Sequence, residues 1–213
     1  MAAVSSESTT PRILEVFADV MCPFAHIGLA RVAARRDALG VDVVLAVKAW
    51  PLELINGRPL DPDFVAEEID VLRAGVAPDL FAGFDRSTFP ATTLPALALA
   101  HAASLVDAPT GERVSLALRR ALWEEGRDVS DPEVLADIAA AHGVSTDPDR
   151  DRAGLLAEWE DGKARGVRGS PEFVLDGAAW FCPSLNVRRV DGELVVDVDA
   201  ATMSAFLEAV FPA

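Results

Sequence analysis

The sequence predicts an α/β protein in which a strand–helix–strand unit is followed by a block of helices, further strands and a last helix. Two runs predict the first unit: Ile13–Phe17 has the apolar pattern of a buried strand, and Val41–Val47 is rich in β-branched residues. With a helix between them they form a βαβ unit, whose strands should be parallel and joined by a right-handed crossover.

The first helix is expected to begin at Pro23 and to end at Leu39, before Gly40. Proline suits the first helical position because the N–H that it lacks would have no partner there. Cys22 then lies at the N-terminal end of the helix, where backbone N–H groups carry partial positive charge.

From residue 61 to residue 165 the pattern predicts helices only. An aspartate followed by a proline favours a helix start, because aspartate caps the helix and proline occupies its first position. This pair occurs at Asp61–Pro62, Asp131–Pro132 and Asp147–Pro148. Leu94–Val106 is apolar on nearly every side, which predicts a helix buried within the block.

Strand character returns in the last fifty residues. Phe173–Leu175 and Ala178–Phe181 flank a turn, and Asp191–Gly192 is a hairpin signal between two further strand-like runs. Met203–Phe211 has the spacing of an amphipathic helix. Either Ala178–Phe181 or the hairpin can supply the fourth strand of the sheet, and the sequence leaves this choice open.

These patterns predict two structural units. We expect residues 12–60 and 166–213 to form one domain, and residues 61–165 to form a helical insertion that acts as a lid.

The composition limits the classes of function. The chain has 213 residues, a net charge of −15 and two cysteines. Such negative charge opposes binding to nucleic acid or to an anionic membrane, because both recruit clustered lysine and arginine. Two cysteines are too few for a disulfide framework and fit a compartment that keeps thiols reduced. With no secretory pattern, no membrane span and no metal-ligand spacing of histidines, the sequence predicts a cytoplasmic protein without a metal site.

Cys22 is the candidate nucleophile, because a helix N-terminus favours the thiolate, the reactive form of cysteine. His26 lies four residues further on, on the same helical face, where it can lower the thiol pKa or transfer a proton. We therefore expect the pKa of Cys22 to lie below the ordinary value of about 8.5. The alternatives left open are a buried structural Cys22 and a His26 that only packs or faces solvent.

Two segments resemble motifs of a known family. Residues 19–28, Asp-Val-Met-Cys-Pro-Phe-Ala-His-Ile-Gly, are similar to the active-site segment of DsbA-like thioredoxin-fold proteins. The likeness is greatest to the branch of FrnE-type oxidoreductases, kappa-class glutathione transferases and hydroxychromene-carboxylate isomerases. Residues 166–173, Gly-Val-Arg-Gly-Ser-Pro-Glu-Phe, resemble that family's Gly-Val-x-Gly-Val-Pro-x-Phe loop, whose proline is cis and faces the active cysteine. Thr92–Ala96 is a weaker match to an Asn-Thr-x-x-Ala element.

The resemblance implies a thioredoxin fold with a long all-helical insertion between the βαβ unit and a C-terminal ββα unit. Ala25 stands where disulfide-forming members have a second cysteine, so a disulfide cannot form within this motif. What the family then implies is chemistry of one thiol. Carried over, the N–H and C=O of Ser170, beside a cis Pro171, would bind a peptide-like thiol such as glutathione or mycothiol.

Further substrate contacts are expected around this centre. The candidates are Pro23, Phe24, Trp50, Thr93 and Arg168, whereas Lys163 and Arg165 are expected to cap the preceding helix. Cys182 lies two strand spacings from the first strand, roughly 10 Å, if Ala178–Phe181 is the fourth strand. A disulfide with Cys22 would then need movement.

The predicted function is that of a cytoplasmic thiol-dependent oxidoreductase that acts through a single cysteine nucleophile. A small-thiol transferase or isomerase and a catalytically degenerate binding protein are the alternatives. The expected partner is a small-molecule thiol or disulfide, with glutathione or mycothiol as co-substrate and no tightly bound cofactor. A homodimer is left open.

Overall fold

A four-stranded mixed sheet organises the protein, whose computed structural model describes residues 11–212. Its strands are β1 (Arg12–Ala18), β2 (Val43–Ala49), β3 (Glu172–Leu175) and β4 (Ala178–Phe181), in the order β2-β1-β3-β4. β2 runs parallel to β1, whereas β3 is antiparallel to β1 and β4 is antiparallel to β3. The predicted α/β fold is confirmed.

Helices α1 (Pro23–Leu39) and α8 (Ala200–Val210) share one hydrophobic core with the sheet. The core contains Leu29 and Val32 from α1 and Phe206 from α8, and the strands add alternate residues such as Val16. α1 begins and ends where the sequence predicts, because Pro23 occupies its first turn and Gly40 follows in the left-handed conformation.

The helical insertion packs in a second hydrophobic core, which also contains Val20, Ile27 and Ala49 from around the sheet. After a short α2 (Leu52–Asn56), its helices are α3 (Pro62–Ala74), α4 (Leu94–Ser104), α5 (Ala108–Trp123), α6 (Pro132–Ala141) and α7 (Pro148–Ala164). The predicted caps form: the carboxylates of Asp61, Asp131 and Asp147 each accept a backbone N–H of the first turn. A fourth cap of this kind, Asp107, starts α5.

Helix α7 covers the outer edge of β2. Glu158 on this helix accepts a hydrogen bond from the N–H of Ala49 at 2.8 Å and one from the ring of His101 at 2.8 Å. The bond to Glu158 raises the pKa of His101. A glycine is required at Gly154, because a Cβ atom there would lie 1.9 Å from Nε2 of His101.

The hairpin is separate from the main sheet. It comprises β5 (Leu185–Val190) and β6 (Glu193–Val198), which pair only with each other, so β4 is the fourth strand. The hairpin reaches α3, where Arg189 forms an ion pair with Glu67 at 3.1 Å and lies over the ring of Phe64. Residues 172–198 therefore connect the sheet to the helical insertion. Within residues 11–212, no helix has the length and apolar character needed to cross a membrane.

Candidate functional site

Cys22 lies at the N-terminal end of α1, directly after the turn that follows β1. It is the N-cap residue, with an extended backbone (φ −81°, ψ 112°), and Pro23 takes the first helical position. The turn is closed by a hydrogen bond from the N–H of Cys22 to the carbonyl oxygen of Asp19 at 3.4 Å. The local sequence thus fixes the thiol at the helix N-terminus.

The thiol of Cys22 is closed off from solvent. The residue is 2% exposed, and its Sγ donates a hydrogen bond to the carbonyl oxygen of Ser170 at 3.1 Å. Burial raises the pKa of Cys22 to about 12, because the opposing hydrogen bonds from the Ser170 side chain and from the N–H of Ala25 lower it by less. The prediction of a lowered pKa is wrong for this closed arrangement, in which desolvation outweighs the helix terminus.

His26 faces away from the thiol and into the helical insertion. Its Nε2 lies 2.7 Å from Oε1 of Glu124, and its ring packs against Phe81 and Trp123. Burial lowers the pKa of His26, although the bond to Glu124 opposes this effect. Of the two roles left open for His26, the structure supports packing: its imidazole is hydrogen-bonded to Glu124, and no described hydrogen bond joins its ring to the Cys22 thiol.

The Ser170–Pro171 segment lies opposite Cys22, and the peptide bond between these two residues is cis. The Ser170 hydroxyl accepts a hydrogen bond from the N–H of Asp19 at 2.9 Å, which ties the segment to the turn before α1. α1 approaches closely at Gly28, where a Cβ atom would lie 3.2 Å from the ring of Phe173. Two independent contacts thus set the distance between α1 and this segment.

Asp19 is a buried carboxylate that joins several elements below the thiol. Its side chain accepts hydrogen bonds from the N–H of Met21 at 2.9 Å, the N–H of Leu52 at 2.6 Å and the hydroxyl of Thr93 at 3.3 Å. Its backbone carbonyl accepts one from the buried guanidinium of Arg119 at 3.1 Å. Burial raises the pKa of Asp19, and its hydrogen bonds oppose this shift.

A second buried carboxyl group, that of Glu68 on α3, has no such partners. Among the described residues neither a hydrogen bond nor an ion pair reaches it, and the residue is 8% exposed. Burial raises the pKa of Glu68 to about 7, and the negative charge of Glu68 in turn raises the pKa of Cys22. The Glu68 carboxylate therefore acts electrostatically on the thiol, although burial raises the pKa of Cys22 more.

A family model of the DsbA-like thioredoxin domain matches residues 13–187. The chain belongs to this family. The match contains both cysteines, the Ser170–Pro171 segment and the whole helical insertion.

Solved structures share the DsbA-like fold at low sequence identity. The cytosolic disulfide reductase DsbM from Pseudomonas aeruginosa is 20% identical with a TM-score of 0.56, over 92% of this chain and 97% of that one. A candidate DsbA oxidoreductase from Streptomyces coelicolor is 17% identical with a TM-score of 0.63, over 94% and 91%. A 2-hydroxychromene-2-carboxylate isomerase is 15% identical with a TM-score of 0.55, over 79% and 88%. The curated proteins gave no significant match.

Of the remaining candidate substrate contacts in this DsbA-like domain, some lie near Cys22 and others do not. Thr93 precedes α4 and its hydroxyl donates a hydrogen bond to the Asp19 carboxylate, and Pro23 and Phe24 follow Cys22 in the first turn of α1. Trp50 is 5% exposed and packs edge-on against Phe17, so it belongs to the core and not to an open substrate surface. Arg168 is exposed but forms an ion pair with Glu172 at 3.0 Å, which occupies the group expected to bind substrate.

The two basic residues before the loop, Lys163 and Arg165, each form an ion pair with a glutamate. Arg165 ends α7 and pairs with Glu15 at 2.6 Å, and Lys163 pairs with Glu160 at 2.6 Å. Across residues 11–212, no group of three or more His, Cys, Asp or Glu side chains could hold a metal ion. A cavity of about 460 Å³ opens between α4, α6 and α7, but no residue around Cys22 lines it.

Sequence reasoning missed three buried charged residues of this site. Asp19 stands inside the recognised motif, so its position could have marked it. Arg119 and Glu68 give no such signal, because both look like ordinary polar residues of amphipathic helices. Only the packing of α5 and α3 brings their charges close to Cys22.

Proposed function

We propose that the protein is a cytoplasmic thiol-dependent oxidoreductase that attacks disulfides with the sulfur of Cys22. The observation that carries this proposal is the position of the sulfur, at the first turn of α1 and 3.1 Å from the carbonyl oxygen of Ser170. A thiolate here has the N–H of Ala25 as a donor and the positive end of a helix beside it. These groups favour the charged sulfur that attacks disulfides.

In the proposed reaction the Cys22 sulfur attacks one sulfur of a substrate disulfide. A mixed disulfide forms, the substrate S–S bond breaks, and the other substrate sulfur leaves as a thiol. Because Ala25 occupies the position of the second motif cysteine, α1 offers no thiol to complete the exchange. We propose glutathione or mycothiol as the co-substrate that supplies the electrons, and a DsbM structure that contains glutathione supports this choice.

The thiol must be uncovered for this reaction to proceed. Cys22 is only 2% exposed, so a substrate disulfide cannot reach its sulfur. In addition, a pKa of about 12 leaves almost no Cys22 thiolate at neutral pH. The reaction therefore requires an open state in which water or substrate reaches the sulfur. In that state the desolvation that raises the pKa is relieved while the helix terminus remains.

The same burial favours a second candidate, a binding protein that has kept the fold without turnover. In that case Cys22 is a structural residue and the closed arrangement is the working state. The two candidates differ in how alkylation of Cys22 depends on the folded state.

The test measures turnover and thiol labelling of the same reduced, full-length protein. With bis(2-hydroxyethyl) disulfide and a small thiol, glutathione in one series and mycothiol in another, we expect the wild type to turn over in at least one. We expect Cys22→Ser and Cys22→Ala to lose turnover by more than 100-fold while keeping the same circular dichroism spectrum. Labelling of Cys22 by iodoacetamide across pH 6–10 should proceed without unfolding. Absence of turnover in both series, with labelling only on global unfolding, would establish the binding-protein alternative.

A further inference from the structure

Cys182 lies directly beside the cis-proline segment. Its N–H donates a hydrogen bond to the carbonyl oxygen of Pro171 at 2.9 Å, which extends the pairing of β3 and β4 by one residue beyond Glu172 and Phe181. Its φ is +43°, in the left-handed region that residues with a Cβ atom rarely adopt. The chain thus holds a thiol in an uncommon backbone conformation next to the segment that contacts Cys22.

Both thiols flank the same two-residue segment. The Cys22 sulfur lies 3.1 Å from the carbonyl oxygen of Ser170, and the N–H of Cys182 lies 2.9 Å from the carbonyl oxygen of Pro171. Each of these bonds spans about one strand spacing of about 4.8 Å, so Cys182 lies roughly two spacings from Cys22 in the closed arrangement. A disulfide needs Cα atoms within about 7 Å, so the loop after β4 must shift toward Cys22 before the two sulfurs can meet.

The charges of Cys182 and Glu68 each raise the pKa of Cys22, so both groups lie within electrostatic range of the Cys22 sulfur. Burial raises the pKa of Cys182 to about 11, so this thiol is protonated at neutral pH in the closed arrangement. The Glu68 carboxyl group is buried and has no hydrogen bond or ion pair within the described chain.

We propose that Cys182 is the resolving thiol of this site, and that it attacks the mixed disulfide on Cys22 in place of a second cysteine in α1. The proposal rests on the proposed function, because it needs Cys22 to form that mixed disulfide.

The exchange is balanced in atoms and electrons. The Cys182 sulfur attacks the Cys22 sulfur and gives up its proton. The bond from Cys22 to the substrate sulfur breaks, the Cys22–Cys182 bond forms, and the substrate sulfur takes up that proton and leaves as a thiol. Over both steps the substrate disulfide is reduced to two thiols and the cysteine pair is oxidised. Two molecules of a low-molecular-weight thiol then reduce the pair and become a disulfide.

The test compares the products on the full-length protein after brief exposure of the reduced protein to glutathione disulfide, by peptide mass spectrometry without reduction. The wild type should yield a peptide pair linked through Cys22 and Cys182, and little glutathione on Cys22. Cys182→Ser and Cys182→Gly should each accumulate the Cys22–glutathione adduct at least tenfold above the wild type. Glycine relieves the left-handed backbone, so agreement of the two variants assigns the effect to the lost thiol.

Two contrary outcomes separate the claims. Equal glutathione adduct in the wild type and both variants, with no linked peptides, would overturn the resolving role while leaving Cys22 as a nucleophile. Neither adduct nor linked peptides in any folded protein would overturn the proposed function, and the resolving role with it.

Discussion

The two carboxyl groups buried near Cys22 have opposite surroundings. Asp19 accepts three hydrogen bonds from Met21, Leu52 and Thr93, whereas Glu68 has no partner among the described residues. Burial raises the pKa of both groups, but only at Asp19 do donors oppose it. A buried carboxylate with donors holds elements together, whereas one without donors is free to exchange a proton. The comparison assigns a structural role to Asp19 and leaves Glu68 as a buried group whose charge changes with pH near neutrality.

The largest expected effect comes from removing the Asp19 carboxylate. Asp19→Ala leaves two N–H groups and a hydroxyl without their acceptor in a buried place, so we expect a loss of about 3 to 5 kcal/mol in the free energy of unfolding. Urea unfolding followed by circular dichroism measures it. The matched control is Asp85→Ala, because Asp85 also accepts from a backbone N–H, that of Ser87, but is exposed. If Asp19→Ala loses no more unfolding free energy than Asp85→Ala, the buried Asp19 carboxylate does not hold the surrounding elements together.

Glu68→Gln should raise the free energy of unfolding at alkaline pH, whereas Asp19→Ala lowers it. The folded pKa of Glu68 is about 7, above its ordinary 4.5, so the wild type loses stability as the pH rises from 4.5 to 7 and regains none above. Glutamine does not ionise, and the variant should therefore be more stable than the wild type at pH 8, by on the order of 2 to 3 kcal/mol. Unfolding free energies at pH 5 and pH 8 check this.

Glu68→Gln should also change the reactivity of the Cys22 thiol. Loss of the negative charge lowers the pKa of Cys22, so alkylation at pH 8 should become several-fold faster and its pH profile should lose the step near 7. Glu67→Gln is the control, because Glu67 is the next residue on α3 but pairs with Arg189 on the surface. If both variants leave the alkylation profile unchanged, Glu68 does not act on Cys22.

The smallest expected effect comes from removing a single hydrogen-bond donor to Asp19. Thr93→Val removes one donor to the carboxylate but keeps the shape of the side chain, so we expect a loss of about 1 kcal/mol in unfolding free energy. Thr202→Val is the reference, since the Thr202 hydroxyl donates to Asp199 in an exposed cap. The buried site should lose more than the exposed one, and equal losses would mean that burial does not strengthen the Thr93 bond.

The sequence predicted what local patterns determine. Aspartate caps, Pro23 and Gly40 set helix ends within a few residues, and the two motifs identified the family. Local patterns could not predict the burial of Cys22, because it depends on segments far away in the sequence. His26 shows the same limit: its partner Glu124 is 98 residues away, and helical spacing alone pointed to Cys22.

The cover that α7 places on β2 has a consequence for association. β2 is an edge strand, and an open edge offers unpaired N–H groups on which a strand of another molecule can add. At Ala49 that N–H is already taken by Glu158, whose other oxygen is held by His101. A strand from a second chain would have to displace a carboxylate and leave it buried. This arrangement protects the parallel end of the sheet against edge-to-edge aggregation.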